Sequence, residues 1–155
     1  MVTLNQKVDN FTLKNEDGND ISLYDIKANY IVLYFYPKDN TPGCTLEANL
    51  YKEYFDKFND LGVKVIGISK DSIASHTKFK CKYELPFTLL SDEQMDVINY
   101  FGVYGEKVLY GKRSMGIIRK TFILNSNYEI VKIYEKAIAK DNAERVYNFI
   151  TKQNA

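Results

Sequence analysis

The chain has 155 residues, 45% of them hydrophobic, which suits one domain built around a single sizeable core. Lys and Arg together number 21 against 20 Asp and Glu, and the resulting net charge of +1 gives no global pull towards nucleic acid or anionic lipid. Two cysteines and one histidine exclude a disulfide-stapled scaffold and a structural zinc site, and neither a signal-peptide core nor an apolar run of about 18 residues is present, so a soluble, cytoplasmic protein is expected.

In chain order, Phe11-Thr12-Leu13 and Ile21-Ser22-Leu23 flank the turn-forming stretch Asn15 to Asn19 and predict an N-terminal β-hairpin. Tyr30 to Tyr36 is continuously apolar or aromatic and is ended by Pro37, as expected of a central strand covered on both faces. Leu46, Leu50, Tyr54, Phe58 and Leu61 recur at helical spacing and predict one amphipathic helix that stops before Gly62. A second strand, Val63 to Ser69, follows at once, so strand, helix and strand should form a right-handed crossover with the two strands parallel.

Ser72 is placed to cap a helix running to about Tyr83, Pro86 to Leu90 reads as a short edge strand, and Asp92 is placed to cap a helix that Gly102 stops. The segment from Tyr104 to Ile117 reads as a Gly-containing, basic loop. Thr121 to Leu124 should pair with Glu129 to Tyr134 across Asn125-Ser126-Asn127, and a final helix spans about Asn142 to Lys152. Parallel βαβ followed by a hairpin and a terminal helix is the order of the thioredoxin fold, here an α/β domain with an N-terminal β-hairpin extension and an inserted helix.

The chemistry concentrates before and within the first helix. Cys44 lies in its first turn, where unpaired N–H groups and the positive end of the helix dipole favour thiolate over thiol. Lowering a thiol pKa from about 8.5 to about 6 multiplies the thiolate present at pH 7 only about thirtyfold, so a fast reaction also needs groups that orient the substrate and stabilise charge on its leaving oxygen. Thr41 offers a hydroxyl beside the Gly43 and Cys44 amides, while Pro37 and Pro42 stiffen the loop. His76, the sole histidine, is expected to cap or pack its helix, and Lys107, Lys112 and Arg113 to be solvated surface.

Pro37-x-x-x-Thr41-x-x-Cys44 resembles the active-site signature of the peroxiredoxins. The wider run Phe35 to Glu47 is similar to the subgroup named after the bacterioferritin comigratory protein, also called peroxiredoxin Q. Val65 to Ser69, Ser75-His76-x-x-Phe79, Leu85-Pro86-Phe87, Leu90-Ser91-Asp92 and Gly116-Ile117-x-Arg119-x-Thr121-Phe122 extend the similarity over nearly the whole chain, as one thioredoxin-like domain over residues 1–155. The resemblance implies a thiol peroxidase without a cofactor or metal, whose Cys44 thiolate is oxidised to sulfenic acid by hydrogen peroxide or an organic hydroperoxide. It implies that Thr41 and Arg119 hold the peroxide, that Pro37 shields the thiol, and that Glu47 supports the loop from behind. Its partners would be the peroxide and a thioredoxin-like or other thiol reductant, with no nucleic acid or membrane, in a monomer or dimer.

The chain departs from the subgroup at one position. Many members carry a second, resolving cysteine five residues after the first, where this chain has Asn49. Cys81 is the other candidate, one residue later than in relatives that place a resolving cysteine in the second helix, and a one-residue offset rotates a helical side chain by about 100°. Cys81 shares a solvated helix face with Ala74, Thr77, Lys78 and Glu84. Two readings of recycling stand, an external thiol acting alone or a Cys44–Cys81 disulfide, and a redox-sensing or holdase-like protein without sustained turnover is the alternative function.

Overall fold

The computed structural model describes residues 2–153. Seven strands form one mixed sheet in the order β2-β1-β5-β4-β3-β8-β9. They are β1 (Thr12–Asn15), β2 (Asp20–Ser22), β3 (Tyr30–Phe35), β4 (Val63–Ser69), β5 (Thr88–Ser91), β8 (Lys120–Asn125) and β9 (Ile130–Tyr134). β3 lies parallel to β4, with Tyr30 opposite Val63 and Phe35 opposite Ile68, and antiparallel to β8, with Phe35 opposite Lys120.

Alternation along β3 divides the core into two. Ile31, Leu33 and Phe35 face a cluster that includes Val97, Ile98 and Phe101 of α4 (Asp96–Phe101). Val32, Tyr34 and Tyr36 face the other cluster. There they meet α1 (Pro42–Glu53), α2 (Phe55–Asp60), α3 (Ile73–Tyr83) and α5 (Asn142–Gln153) through Tyr51, Phe58, Phe79 and Val146. A strand buried on both faces has no polar positions to spare, which is why its sequence is uninterrupted by charge.

Three expectations need correction. The single helix through Leu61 is two, α1 and α2, which meet at Tyr54, whose φ of −88° and ψ of −2° lie at the edge of the right-handed helical region. Within α1 the buried face is Cys44, Glu47, Ala48 and Tyr51, while Leu46 is 45% exposed. The leucine stripe was therefore out of phase with the face that meets the sheet at this end of the helix.

The expected edge strand is β5, and it is interior, because the N-terminal hairpin adds β1 along its free side with Lys14 opposite Ser91. The expected basic loop is a second hairpin, β6 (Tyr104–Leu109) and β7 (Lys112–Ile117), apart from the main sheet. Tyr110 and Gly111 close it with φ of 52° and 76°, and two successive positive φ values are what a tight two-residue hairpin turn requires. Mostly exposed strands with interspersed charges, and Tyr-Gly in place of Asn-Gly, hid this hairpin from the hydrophobic pattern.

Candidate active site

β3 delivers the chain to the carboxyl edge of the sheet, where Pro37 ends the strand and Asn40, at φ of 58°, turns it into α1. Thr41 occupies the N-cap position in extended conformation and Pro42 the first helical turn, where a missing N–H costs nothing. The Thr45 N–H closes that turn on the Thr41 carbonyl at 2.8 Å. Gly43 and Cys44 thus keep their N–H groups among the unpaired donors of a helix start.

Cys44 is 2% exposed and Glu47, three residues on and on the same helix face, is fully buried. Arg119, in the short link between β7 and β8, reaches both: Nη1 donates to Glu47 Oε1 at 2.5 Å and Nη2 to Cys44 Sγ at 3.4 Å. Gly43 leaves room for this approach, since a Cβ there would stand a tight 3.2 Å from Arg119 Nη2. One guanidinium therefore bridges a sulfur and a carboxylate that the sequence separates from it by the length of the sheet.

The electrostatics follow from burial. Removal from water pushes the Glu47 carboxyl up to about 7, against the opposing pull of Arg119, and its Oε2 has no hydrogen-bond partner. Burial works against the charge of Arg119, yet Glu47 and Cys44 outweigh it and hold the guanidinium above its ordinary pKa. Arg119 is the cation that faces the sulfur at all working pH values.

Thr41 is half-buried, and its hydroxyl donates to the Lys38 carbonyl at 2.8 Å, so its oxygen lone pairs remain free to accept. Pro37 is half-buried where the chain leaves β3. Cys81 is exposed near the C-terminal end of α3 and free, as is Cys44. Two lysines beside it point their charges elsewhere: Lys80 pairs with Glu16, and Lys82 donates to Asn40 Oδ1 at 3.2 Å.

The structure thus brings Cys44, Glu47 and Arg119 into contact, sets Thr41 at the head of the same helix, and leaves Cys81 outside that cluster. Sequence reasoning missed two features. Lys107, expected as free surface, is half-buried, and burial and Arg119 hold it below its ordinary pKa while Cys44 acts in the opposite sense. His76 does pack, as expected, but in a polar network with Asp39 and Asp71 beneath the loop. The Lys107 signal lay in the strand alternation of a hairpin that was not recognised, and no local pattern announces the other.

A mixed sheet with a buried cysteine at the first turn of a helix, facing a guanidinium from the opposite strand link, defines a thioredoxin-like thiol protein. The chain belongs to the AhpC/TSA family, which it matches over residues 4–133. Among individual relatives, it is 45% identical to the putative peroxiredoxin Bcp of Helicobacter pylori over 141 residues, 91% of this chain and 93% of that one. It is 41% identical to peroxiredoxin Bcp of Bacillus subtilis, covering 91% and 90%. Among solved structures, a cysteine-to-serine variant of peroxiredoxin Q from Xylella fastidiosa matches with a TM-score of 0.94 at 30% identity, over 100% of this chain and 99% of that one. The bacterioferritin comigratory protein of Xanthomonas campestris, studied for its alkyl peroxide reduction activity, matches with a TM-score of 0.87 at 32% identity, covering 94% and 92%.

Proposed function

We propose that this chain is a thiol peroxidase that reduces hydrogen peroxide and organic hydroperoxides at Cys44. The observation that carries the reading is the 3.4 Å contact between Arg119 Nη2 and the Cys44 sulfur, with the same guanidinium anchored on buried Glu47. The thiolate attacks one peroxide oxygen; an S–O bond forms, the O–O bond breaks, and the departing oxygen takes a proton to leave as water or an alcohol. Cys44 is oxidised to sulfenic acid and the peroxide is reduced by two electrons.

Thr41 accepts a hydrogen bond from the peroxide O–H and fixes which oxygen faces sulfur. Arg119 and the Gly43 and Cys44 amides stabilise the negative charge that grows on the leaving oxygen. Pro37 keeps water from the thiol by closing the end of β3. Glu47 fixes the angle of Arg119 through the bond from Nη1 to Oε1, as an ion pair once its carboxyl ionises.

A thiol reductant then returns the sulfenic acid to thiol, releasing water and forming a disulfide that a second thiol reduces. The first thiol is external, or it is Cys81. The second route needs α1 to open at its first turn, because Cys44 is buried, Cys81 is exposed on another helix, and a disulfide requires Cα atoms within about 7 Å. We place the enzyme in the cytoplasm, as a monomer or dimer; among the described residues no helix is long and apolar enough to cross a membrane.

Mass spectrometry after one equivalent of hydrogen peroxide tests the reading. Cys44 sulfenic acid, or a Cys44–Cys81 disulfide that reverts to sulfenic acid in Cys81→Ser, supports it, and the two products separate the recycling routes. Steady peroxide consumption at sub-stoichiometric protein with a thiol donor excludes a sensor without turnover. An unmodified Cys44 contradicts the proposal.

A further inference from the structure

Beneath the loop that joins β3 to α1 lies a polar network whose centre, His76 and Asp39, is buried and whose edges reach the surface. His76 is fully buried in α3 and Asp39, in the loop, is 7% exposed. The ring meets Asp39 Oδ2 through Nδ1 at 2.7 Å and the Leu90 carbonyl through Nε2 at 2.9 Å. The other groups on Asp39 are also donors: the Tyr36 hydroxyl bonds Oδ1 at 2.6 Å and the Ser75 hydroxyl bonds Oδ2 at 2.8 Å.

Donor counting fixes the proton content. A carbonyl only accepts, so Nε2 carries its hydrogen, and the 2.7 Å contact between Nδ1 and a carboxylate oxygen then needs a second proton. Without that proton two lone pairs would face each other inside the protein, where nothing else can satisfy them. Asp39 already accepts from the Tyr36 and Ser75 hydroxyls, an environment that favours its ionised form and places the shared proton on the ring, so we read His76 and Asp39 as an imidazolium–carboxylate pair.

What the pair holds is the loop that carries Thr41. The Asp39 N–H donates to Asp71 Oδ2 at 2.9 Å, and Asp71 is itself bound by the Ser69 hydroxyl at 2.6 Å. Asn40 Oδ1 accepts from Lys82 and from the Tyr83 hydroxyl, at 3.2 and 3.1 Å. Helix α3 thus grips consecutive loop residues from both of its ends, and Thr41 follows immediately.

We propose that His76 is a positioning residue for the reaction at Cys44: as an imidazolium it locks Asp39, and through Asp39 the loop that aims Thr41. The proposal rests on the peroxidase reading above. The ionisable groups that face the ring are Asp39 and Tyr36 from the loop and the end of β3, and Asp71 from beyond β4; β5 contributes the Leu90 carbonyl. Burial pulls the imidazole pKa down, but the bond and charge of Asp39, the carbonyl and Asp71 together hold it above the ordinary value. The lock is therefore complete below a pH of about 6.5 and is lost as pH rises through the raised folded value.

The test measures Cys44 oxidation by hydrogen peroxide in rapid mixing, expressed per thiolate from ultraviolet absorbance, from neutral to alkaline pH. Misplacing a group that orients substrate costs on the order of tenfold or more. Glu47 and Lys107 also titrate near the sulfur, so the step that belongs to His76 is the one whose midpoint coincides with the titration of its ring. Wild type should lose about tenfold per thiolate across that step, and His76→Gln should start about tenfold low and lack it while keeping any step of Glu47 or Lys107. A step at the ring's midpoint that persists in His76→Gln, or a wild-type profile with no step there, overturns the proposal.

Because the chain has a single histidine, its ring can also be titrated by nitrogen-correlated NMR in the unaltered protein, which needs no variant to fold. An imidazolium that persists above pH 6.5 supports the lock, and a ring already neutral there overturns it. If wild-type Cys44 reacts no faster than free cysteine at any pH, the peroxidase reading itself fails, a result separate from the loss of the alkaline step.

Discussion

Cys44 and Cys81 both sit on helices that cover the same face of the sheet, yet their surroundings are opposite. Cys44 is at a helix start, buried, and touched by a guanidinium whose other arm is fixed on a carboxylate. Cys81 is in the last turn of α3, exposed, and two of its sequence neighbours send their ammonium groups to Glu16 and Asn40 instead. The contrast is one of geometry: a guanidinium is aimed at the Cys44 sulfur, whereas the Lys80 and Lys82 ammonium groups are turned to other partners than Cys81. Four substitutions test that contrast.

The largest effect should come from exchanging the two thiols in turn. Cys44→Ser should abolish peroxide consumption, while Cys81→Ser should leave the first oxidation of Cys44 within about twofold, since a surface thiol outside the cluster takes no part in the O–O cleavage. Stopped-flow measurement of the first turnover checks both, and a large loss in Cys81→Ser would erase the contrast. Arg119→Ala should slow Cys44 oxidation by about 10²–10³, the usual cost of removing one donor aimed at a developing oxyanion.

Glu47→Gln should have a smaller effect on rate, about tenfold, because the guanidinium keeps an acceptor but loses its counter-charge. Its signature is in stability. A carboxyl whose pKa rises from 4.5 to about 7 on folding binds its proton more tightly in the native state, so ionisation between those values costs stability, and the cost is complete above pH 7. Glu47→Gln escapes that cost. Its Tm should exceed that of wild type at pH 8, with the difference shrinking towards pH 5; the opposite trend in thermal unfolding would show that Arg119 solvates the carboxylate fully.

Much of this was legible before any coordinates. The apolar run Tyr30 to Tyr36, the Gly62 stop and the two hairpins flanking the α/β core are strong local signals, and they place Cys44 at a helix start. The motif resemblance supplied Arg119, which no spacing rule connects to Cys44 across 75 residues. What stayed hidden depended on neighbours far away in sequence. β5 is interior only because β1 reaches it, the α1 face is chosen by the sheet beneath it rather than by its leucines, and the hairpin near Lys107 stands apart from the main sheet with Val108 and Met115 exposed. The lock of His76 on Asp39 unites two elements through a single contact, which leaves no periodic trace.

Arg119 is proposed to accelerate the reaction by acting on the peroxide in the transition state, beyond any help it gives to forming the thiolate. The most direct measurement is the rate constant for Cys44 oxidation by hydrogen peroxide in wild type and Arg119→Ala, each divided by its own measured thiolate fraction. The variant should remain about 10²-fold slower per thiolate. Equal rates per thiolate would contradict it, because Arg119 would then do no more than supply the ionised sulfur.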